Sequence, residues 1–248
     1  MTCSCAAAQN ALNAPAGQSP DTYALSDQDN DRQVMKNIKI LSRLLSDIEK
    51  YDKNNAGSWK IVPAAKEAFE LMKDGLPLRV EGELTPYKRI VLLNDLIDCL
   101  PERNCARFLL SVKEYQMSMF PLIVDGDIAV DIKADEYDGD PARFVRAVKP
   151  DDVRKSLKRT EDFLNPRISV QKWCREYGVR LRFDPVERSE EWENVICEVE
   201  RECDELLKGE KIVMGYVYRY WSTKKDILAK HGIEWSNPSE MNPGVIFD

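Results

Sequence analysis

The chain of 248 residues carries a formal net charge of −7, with 43 acidic and 36 basic residues, and 43% of it is hydrophobic. That hydrophobic share is enough for a core and excludes disorder over the full length. No apolar run approaches the ~18 residues of a membrane helix, so we predict no membrane association. The acidic balance disfavours nucleic acid as a partner.

The N-terminal residues 1–30 show no hydrophobic periodicity and are rich in small and polar residues, which predicts a disordered lead. No Lys or Arg precedes Arg32, and this argues against a signal or transit peptide. The seven cysteines are an odd number in a chain that is not Cys-dense. Such usage is typical of reduced thiols that serve as small core residues, so we predict a cytoplasmic protein.

Helical periodicity dominates the chain from residue 31 to about residue 117. Apolar residues that recur every three or four positions indicate amphipathic helices. Thr85 and Pro86 have the character of an N-cap and a first helical residue. The predicted elements are helices over 31–51, 63–73, 86–100 and 101–117, with a short extended segment over 76–84.

A β-hairpin is predicted next. The apolar run 120–124 precedes Asp125-Gly126, and residues 127–133 then alternate between apolar and polar side chains. An Asp-Gly pair between two such runs is a strong short-range hairpin signal. We therefore predict two antiparallel strands over 120–133.

Helical patterns resume over 141–148, 151–164 and 169–177, and the alternation over 179–183 predicts a strand. The clearest pattern lies further on, where apolar stripes over 189–207 and 211–231 flank Gly209. Two amphipathic helices joined by a short turn predict an antiparallel helical hairpin. The tail 233–248 is too apolar to stay free in solvent, so we predict that it packs on the core.

The predicted fold class is α+β and mainly α-helical. It combines bundle-like helix packing, a small antiparallel β-hairpin and a C-terminal helical hairpin. The predicted organisation is a disordered lead at 1–30, a helical half with the β-hairpin at 31–140, and a helical half with the packed tail at 141–248.

Residues of the usual catalytic sets are scarce. His231 is the only histidine, and its place in the last turn of a predicted helix suits a cation that interacts with the helix dipole. A Ser-His-Asp or Cys-His set would have to use it. The Gly-x-Ser-x-Gly elbow and the glycine-rich phosphate loops are also missing from the sequence. These observations favour a non-catalytic protein without a cofactor.

One alternative is a metal-dependent phosphodiesterase or nuclease. Asp127, Asp131 and Lys133 share one face of the predicted strand, where two carboxylates would bind Mg²⁺ or Mn²⁺ and the lysine would stabilise a developing anion. Asp131-Ile132-Lys133 resembles the Asp/Glu-x-Lys half of PD-(D/E)xK nucleases. The upstream acid of that family has no clear counterpart here. The same residues also suit the solvated face of a hairpin.

The favoured function is protein interaction or regulation in the cytoplasm, with an unknown protein partner. Tyr218 lies off the apolar stripe of its predicted helix, next to Arg219, and an exposed aromatic side chain is typical of contact surfaces. A basic face on the helix over 151–164 provides further interaction candidates. An internally paired basic face and a core-packed tyrosine are the plainer alternatives. The basic candidates are Arg154, Lys155, Lys158 and Arg159.

Overall fold

The computed structural model describes residues 27–124, 127, 148–211 and 213–247. Regular structure in these ranges is helical, and the only strand-like pairing found there is an isolated bridge between Val80 and Leu84. The helices are α1 (Asp27–Lys53), α2 (Ser58–Lys73), α3 (Pro86–Cys99), α4 (Ala106–Met119), α5 (Pro150–Leu164), α6 (Val170–Glu176), α7 (Glu190–Leu206), α8 (Tyr216–Lys230) and α9 (Pro238–Met241), with 3₁₀ turns at Phe120–Leu122 and Pro185–Arg188.

The predicted capping signal at Thr85 and Pro86 placed the start of α3 correctly. Thr85 accepts a hydrogen bond from the Lys88 backbone N–H at 3.1 Å, and Pro86 begins α3 as predicted. Ser169 and Ser189 cap α6 and α7 in the same way. A side-chain oxygen at this position satisfies a backbone donor that the first helical turn leaves unpaired.

The first core lies among α1, α2, α3 and α4. Each of these helices turns an apolar stripe inward, so that leucine, isoleucine, alanine and aromatic side chains interdigitate away from water. The most deeply buried members include Ala65, Phe69, Met72, Leu93 and Val112.

Two smaller cores complete the interior. One joins α7, α8 and the tail through Trp192, Ile196, Ile227 and Trp235, which confirms the predicted helical hairpin and the packing of the tail. The other is aromatic: Phe163 of α5 contacts Trp173 of α6 and Phe183, with ring centroids 5.2 and 5.5 Å apart.

Two carboxylates of α7 complete the N-termini of other helices. Glu193 accepts the backbone N–H groups of Arg107 and Phe108 at 2.9 and 3.0 Å, at the start of α4. Glu200 accepts the backbone N–H and the hydroxyl of Ser58 at 2.7 and 2.6 Å, at the start of α2. Neither helix has a side-chain cap of its own, so α7 supplies both the missing acceptors and the negative charge that a helix N-terminus favours.

Glu200 is also the centre of a buried polar network. Its second oxygen accepts the Asn104 amide at 2.8 Å and lies 3.4 Å from the ammonium of Lys224. Glu200 and Lys224 are each 8% exposed, and the ammonium lies over the rings of Trp192 and Trp235. The network thus joins α2, the turn before α4, α7 and α8.

The predicted β-hairpin is wrong. Phe120–Leu122 continues the end of α4 as a 3₁₀ turn instead of forming a strand. The Asp127 carboxylate accepts the Val124 backbone N–H at 3.0 Å. Since no strand occurs in the described ranges, the predicted α+β class is also wrong, while the mainly helical character is confirmed.

The predicted strand over 179–183 is wrong as well. No strand among the described residues supplies a ladder; instead, the Asn242 side chain accepts the Arg182 N–H and donates to the Arg182 carbonyl, both at 2.8 Å. Phe183 is buried in the aromatic core, whereas Leu181 is 40% exposed. The alternation therefore reflects side-chain burial along an irregular segment.

Some predictions differ at their boundaries or lie outside the described residues. Helix α1 begins at Asp27, inside the predicted lead, and α2 begins at Ser58 instead of residue 63 because Glu200 completes its N-terminus. Helix α8 begins only at Tyr216, after Gly215 with a φ of +83°. Residues 1–26, most of the predicted helix over 141–148 and the predicted boundary at 140/141 lie outside the described ranges. None of the described helices combines the length and apolar character needed to cross a membrane.

We expect Glu200→Ala to lower the free energy of unfolding by about 3 kcal/mol, because it leaves Lys224 and the start of α2 without their buried partner. In a Lys224→Met background the same substitution should lower the free energy of unfolding by a smaller amount, since no buried ammonium is then left unpaired. Urea denaturation measures both values. Glu198→Ala, on the exposed side of α7, is the matched control, and equal losses at the two positions would contradict the prediction.

Candidate functional site

The residues of the predicted metal site are only partly described. Asp127 is 5% exposed and forms a two-pronged ion pair with Arg79, at 2.6 and 3.0 Å. The hydrogen bond from Arg79 holds the pKa of Asp127 below its ordinary range. Asp131 and Lys133 lie outside the described residues, so the metal site stays a prediction. Within the described ranges, no cluster of His, Cys, Asp and Glu side chains is arranged to hold a metal ion.

The predicted basic face of α5 is largely paired within the protein. Arg154 forms an ion pair with Asp151, and Lys158 forms one with Asp162, both along α5 itself. The Asp162 carboxylate also accepts the Tyr177 hydroxyl at 2.7 Å. Lys155 lies beside these pairs on the same shallow groove. A partner would have to compete with these internal pairs for Arg154 and Lys158, and the interaction role of this face stays a prediction.

Arg159, the fourth predicted basic residue, lies at a separate cleft. Its guanidinium forms a bidentate pair with Glu102, at 3.0 and 2.9 Å, and lies over the Trp173 ring at 5.0 Å from the ring centroid. It thereby enters the wall of a cleft of about 590 Å³, which we call the arginine cleft. The cleft is lined by residues 101–104, Arg159, Trp173, residues 179–183 and Pro238.

Three further arginines line the arginine cleft. Arg103 is 3.1 Å from the buried carboxylate of Glu187 and lies over the Phe183 ring. Arg180 and Arg182 are exposed, and neither forms an ion pair with any described residue. The cleft therefore carries two positive charges that no described carboxylate neutralises.

Tyr218 belongs to a second surface, which also includes residues 245–247 of the tail. It is 44% exposed and meets Trp221 edge-on at 5.5 Å between ring centroids, and Trp221 meets Phe247 in the same way at 5.1 Å. Val245 and Ile246, next to Phe247, are 45% and 87% exposed. We call these five residues the aromatic surface.

Charged residues near the aromatic surface are paired with each other. Arg219, the predicted neighbour of Tyr218, lies 2.7 Å from Glu210. Lys225, one turn beyond Trp221, lies 2.8 Å from Glu240. His231 is exposed at the C-cap of α8, where the prediction placed it. Arg219 and Lys225 are thus neutralised by carboxylates of the same chain.

A buried lysine lies behind the arginine cleft. Lys113 of α4 is 3% exposed and donates to the Thr160 hydroxyl at 2.7 Å and to the Ser156 carbonyl at 3.2 Å, both on α5. Burial lowers the pKa of Lys113 to about 8, against the opposing attraction of Glu102 and Asp98. Its amine therefore titrates much closer to neutral pH than a lysine in water.

Sequence reasoning identified Tyr218 and Arg159 but missed both the arginine cleft and the tail half of the aromatic surface. Arg180 and Arg182 were visible as alternate residues of one short segment, which places them on one side if the segment is extended. The contribution of Arg103 and Pro238 was not visible, because only the packing of the turn before α4 and of α9 brings them to the same cleft.

Comparison with known proteins gives no family for this chain: no family model, curated protein or solved structure matches it.

We expect the stability of the protein to rise with pH, relative to Lys113→Met, between about pH 8 and pH 10. The folded-state pKa of Lys113 is below its unfolded value, so across this window the unfolded chain binds a proton that the folded protein has released. Below pH 8 both states bind it, and the difference between the two proteins should be constant.

Urea denaturation of both proteins at pH 7, 8, 9 and 10 tests this expectation. Subtracting the free energy of unfolding of Lys113→Met from that of the wild type removes the contributions of tyrosines and cysteines that titrate in the same range. Lys155→Met, at an exposed position of α5, controls for the loss of a positive charge. A difference that does not change with pH would contradict the expectation.

Proposed function

We propose that the protein is a non-catalytic protein-interaction or regulatory protein whose aromatic surface binds an apolar segment of a protein partner. The observation that carries this proposal is the continuous ring contact from the exposed Tyr218 through Trp221 to Phe247, which is followed back along the chain by the exposed Ile246 and Val245. Aromatic side chains in partly exposed clusters supply large contact areas and are enriched at the energetic centres of interfaces.

The charges around the surface support an apolar occupant. Arg219 and Lys225 are already paired with Glu210 and Glu240, so a charged partner segment would have to break these pairs or remain unpaired. An apolar segment would instead bury Ile246 and Val245 and gain the free energy of removing them from water.

The cysteines support a non-catalytic protein in the cytoplasm. All five cysteines in the described ranges are free thiols. Burial raises the pKa of Cys203 to about 11 and also raises that of Cys105, which makes both poor nucleophiles. Unpaired thiols are typical of proteins in a reducing compartment.

Photo-crosslinking tests the proposal. A photoreactive amino acid at position 246 of the full chain should crosslink one partner protein in cells, and the same group at position 35 should not. Met35 is the matched control because it is also apolar and 43% exposed, but lies on α1. The identified partner is then purified and titrated calorimetrically against the wild-type chain.

We expect Ile246→Glu to weaken this binding by at least about tenfold, because it places an unpaired charge in an apolar interface. Met35→Glu should bind as the wild type does. Two results would contradict the proposal: equal binding by both variants, or a crosslink at position 246 that joins only two copies of this chain.

A further inference from the structure

We propose that the arginine cleft is a second binding site, which takes a short peptide segment of another protein with adjacent anionic side chains. The charge of the cleft is the first argument. Two of its four arginines are paired with carboxylates: Arg159 with Glu102, which also lines the cleft, and Arg103 with the buried Glu187. Arg180 and Arg182 remain without a carboxylate in the described part of the chain.

The backbone that carries the two unpaired arginines is fixed before any ligand arrives. Asn242 holds both the N–H and the carbonyl of Arg182, and the Val179 N–H donates to the Cys174 carbonyl at 2.8 Å. Phe183 anchors the end of the segment in the aromatic core. Binding therefore needs only the two arginine side chains to become ordered, which reduces its entropic cost.

Arginine suits the proposed ligand better than a lysine would. Its planar guanidinium donates two parallel hydrogen bonds to a carboxylate or a phosphate, and it keeps its charge at any physiological pH. Within the cleft, Arg159 already binds a carboxylate in this bidentate manner. Arg180 and Arg182 repeat the same chemistry with an external acceptor.

The aromatic rings of the cleft argue against a nucleic acid. Trp173 and Phe183 are 1% and 2% exposed, and the guanidinium groups of Arg159 and Arg103 lie over them. Single-stranded nucleic acids are bound by stacking bases on exposed aromatic rings, and these rings offer no free face.

The apolar lining argues for a peptide over a bare anion. Leu181, which is 40% exposed, and Pro238 both line the cleft. A volume of about 590 Å³ holds several side chains. A peptide would place its aliphatic groups on Leu181 and its anionic groups at the arginines. Carboxylates and phosphates share this chemistry, and the experiment distinguishes them.

Fluorescence anisotropy with the full chain tests the proposal. Three labelled peptides share one short, uncharged polar scaffold with a single leucine and differ only in an adjacent pair of residues, which is Glu-Glu, phosphoserine-phosphoserine or Gln-Gln. We expect saturable binding of the first two and none of the Gln peptide. Tighter binding of the phosphopeptide would identify phosphate as the preferred group, and equal or tighter binding of the Glu peptide would identify carboxylate.

Paired variants locate the binding. Arg180→Gln with Arg182→Gln should weaken it by at least about tenfold, because two charge-assisted hydrogen-bonding groups are lost. Lys36→Gln with Lys39→Gln removes the same charge from exposed positions on α1 and should change it by less than about twofold. Matching thermal melting curves confirm that both variants are folded.

Several results would overturn the proposal. They are the absence of saturable binding, equal weakening in the two double variants, equal binding of the Gln peptide, and displacement of the peptides by a short oligouridine. Ile246→Glu should leave peptide binding unchanged, so failure of this site and failure of the aromatic surface are separate outcomes.

Discussion

The arrangement of this protein depends on one kind of interaction. Carboxylates of α7 accept hydrogen bonds from the N-termini of two other helices. An α-helix leaves four backbone N–H groups unpaired at its start, and α2 and α4 provide no side chain of their own to satisfy them. Glu193 and Glu200 lie two turns apart on one side of α7 and satisfy both starts. The direction and register of three helices are thereby fixed by two side chains.

The same contacts set the geometry of the arginine cleft. One wall of the cleft is formed by residues 101–104, which precede α4. Hydrogen bonds from Asn104 to Glu200 and from Arg103 to Glu187 attach this wall to the second half of the chain. The opposite wall is formed by Arg159 and the segment after α6. The arginines thus converge because polar contacts of the interior hold their backbones together against the mutual repulsion of their like charges.

Local sequence patterns predicted the elements whose causes are local. Caps such as Thr85 and Ser189 act within three residues of themselves, and the apolar stripes of α7 and α8 are complete in one segment. Predictions failed where the structure of a segment depends on residues that are distant in sequence. The start of α2 depends on Glu200, and the Asp-Gly signal after residue 124 could not reveal that Arg79 takes the Asp127 carboxylate. The candidate site shows the same division, since Tyr218 was found locally and Arg103 was not.

The docked tail has a consequence for communication between the two surfaces. Phe247 belongs to the aromatic surface, while Asn242 holds the backbone of Arg182 beside the arginine cleft. A few residues of chain connect these contacts, so a ligand that displaced the whole tail at one surface would also remove the support of the other. Thermodynamic linkage makes such an effect reciprocal: the factor by which one occupant changes the affinity of the other is the same in both directions. Residues 242–247 therefore connect the supports of the two surfaces through one short stretch of backbone.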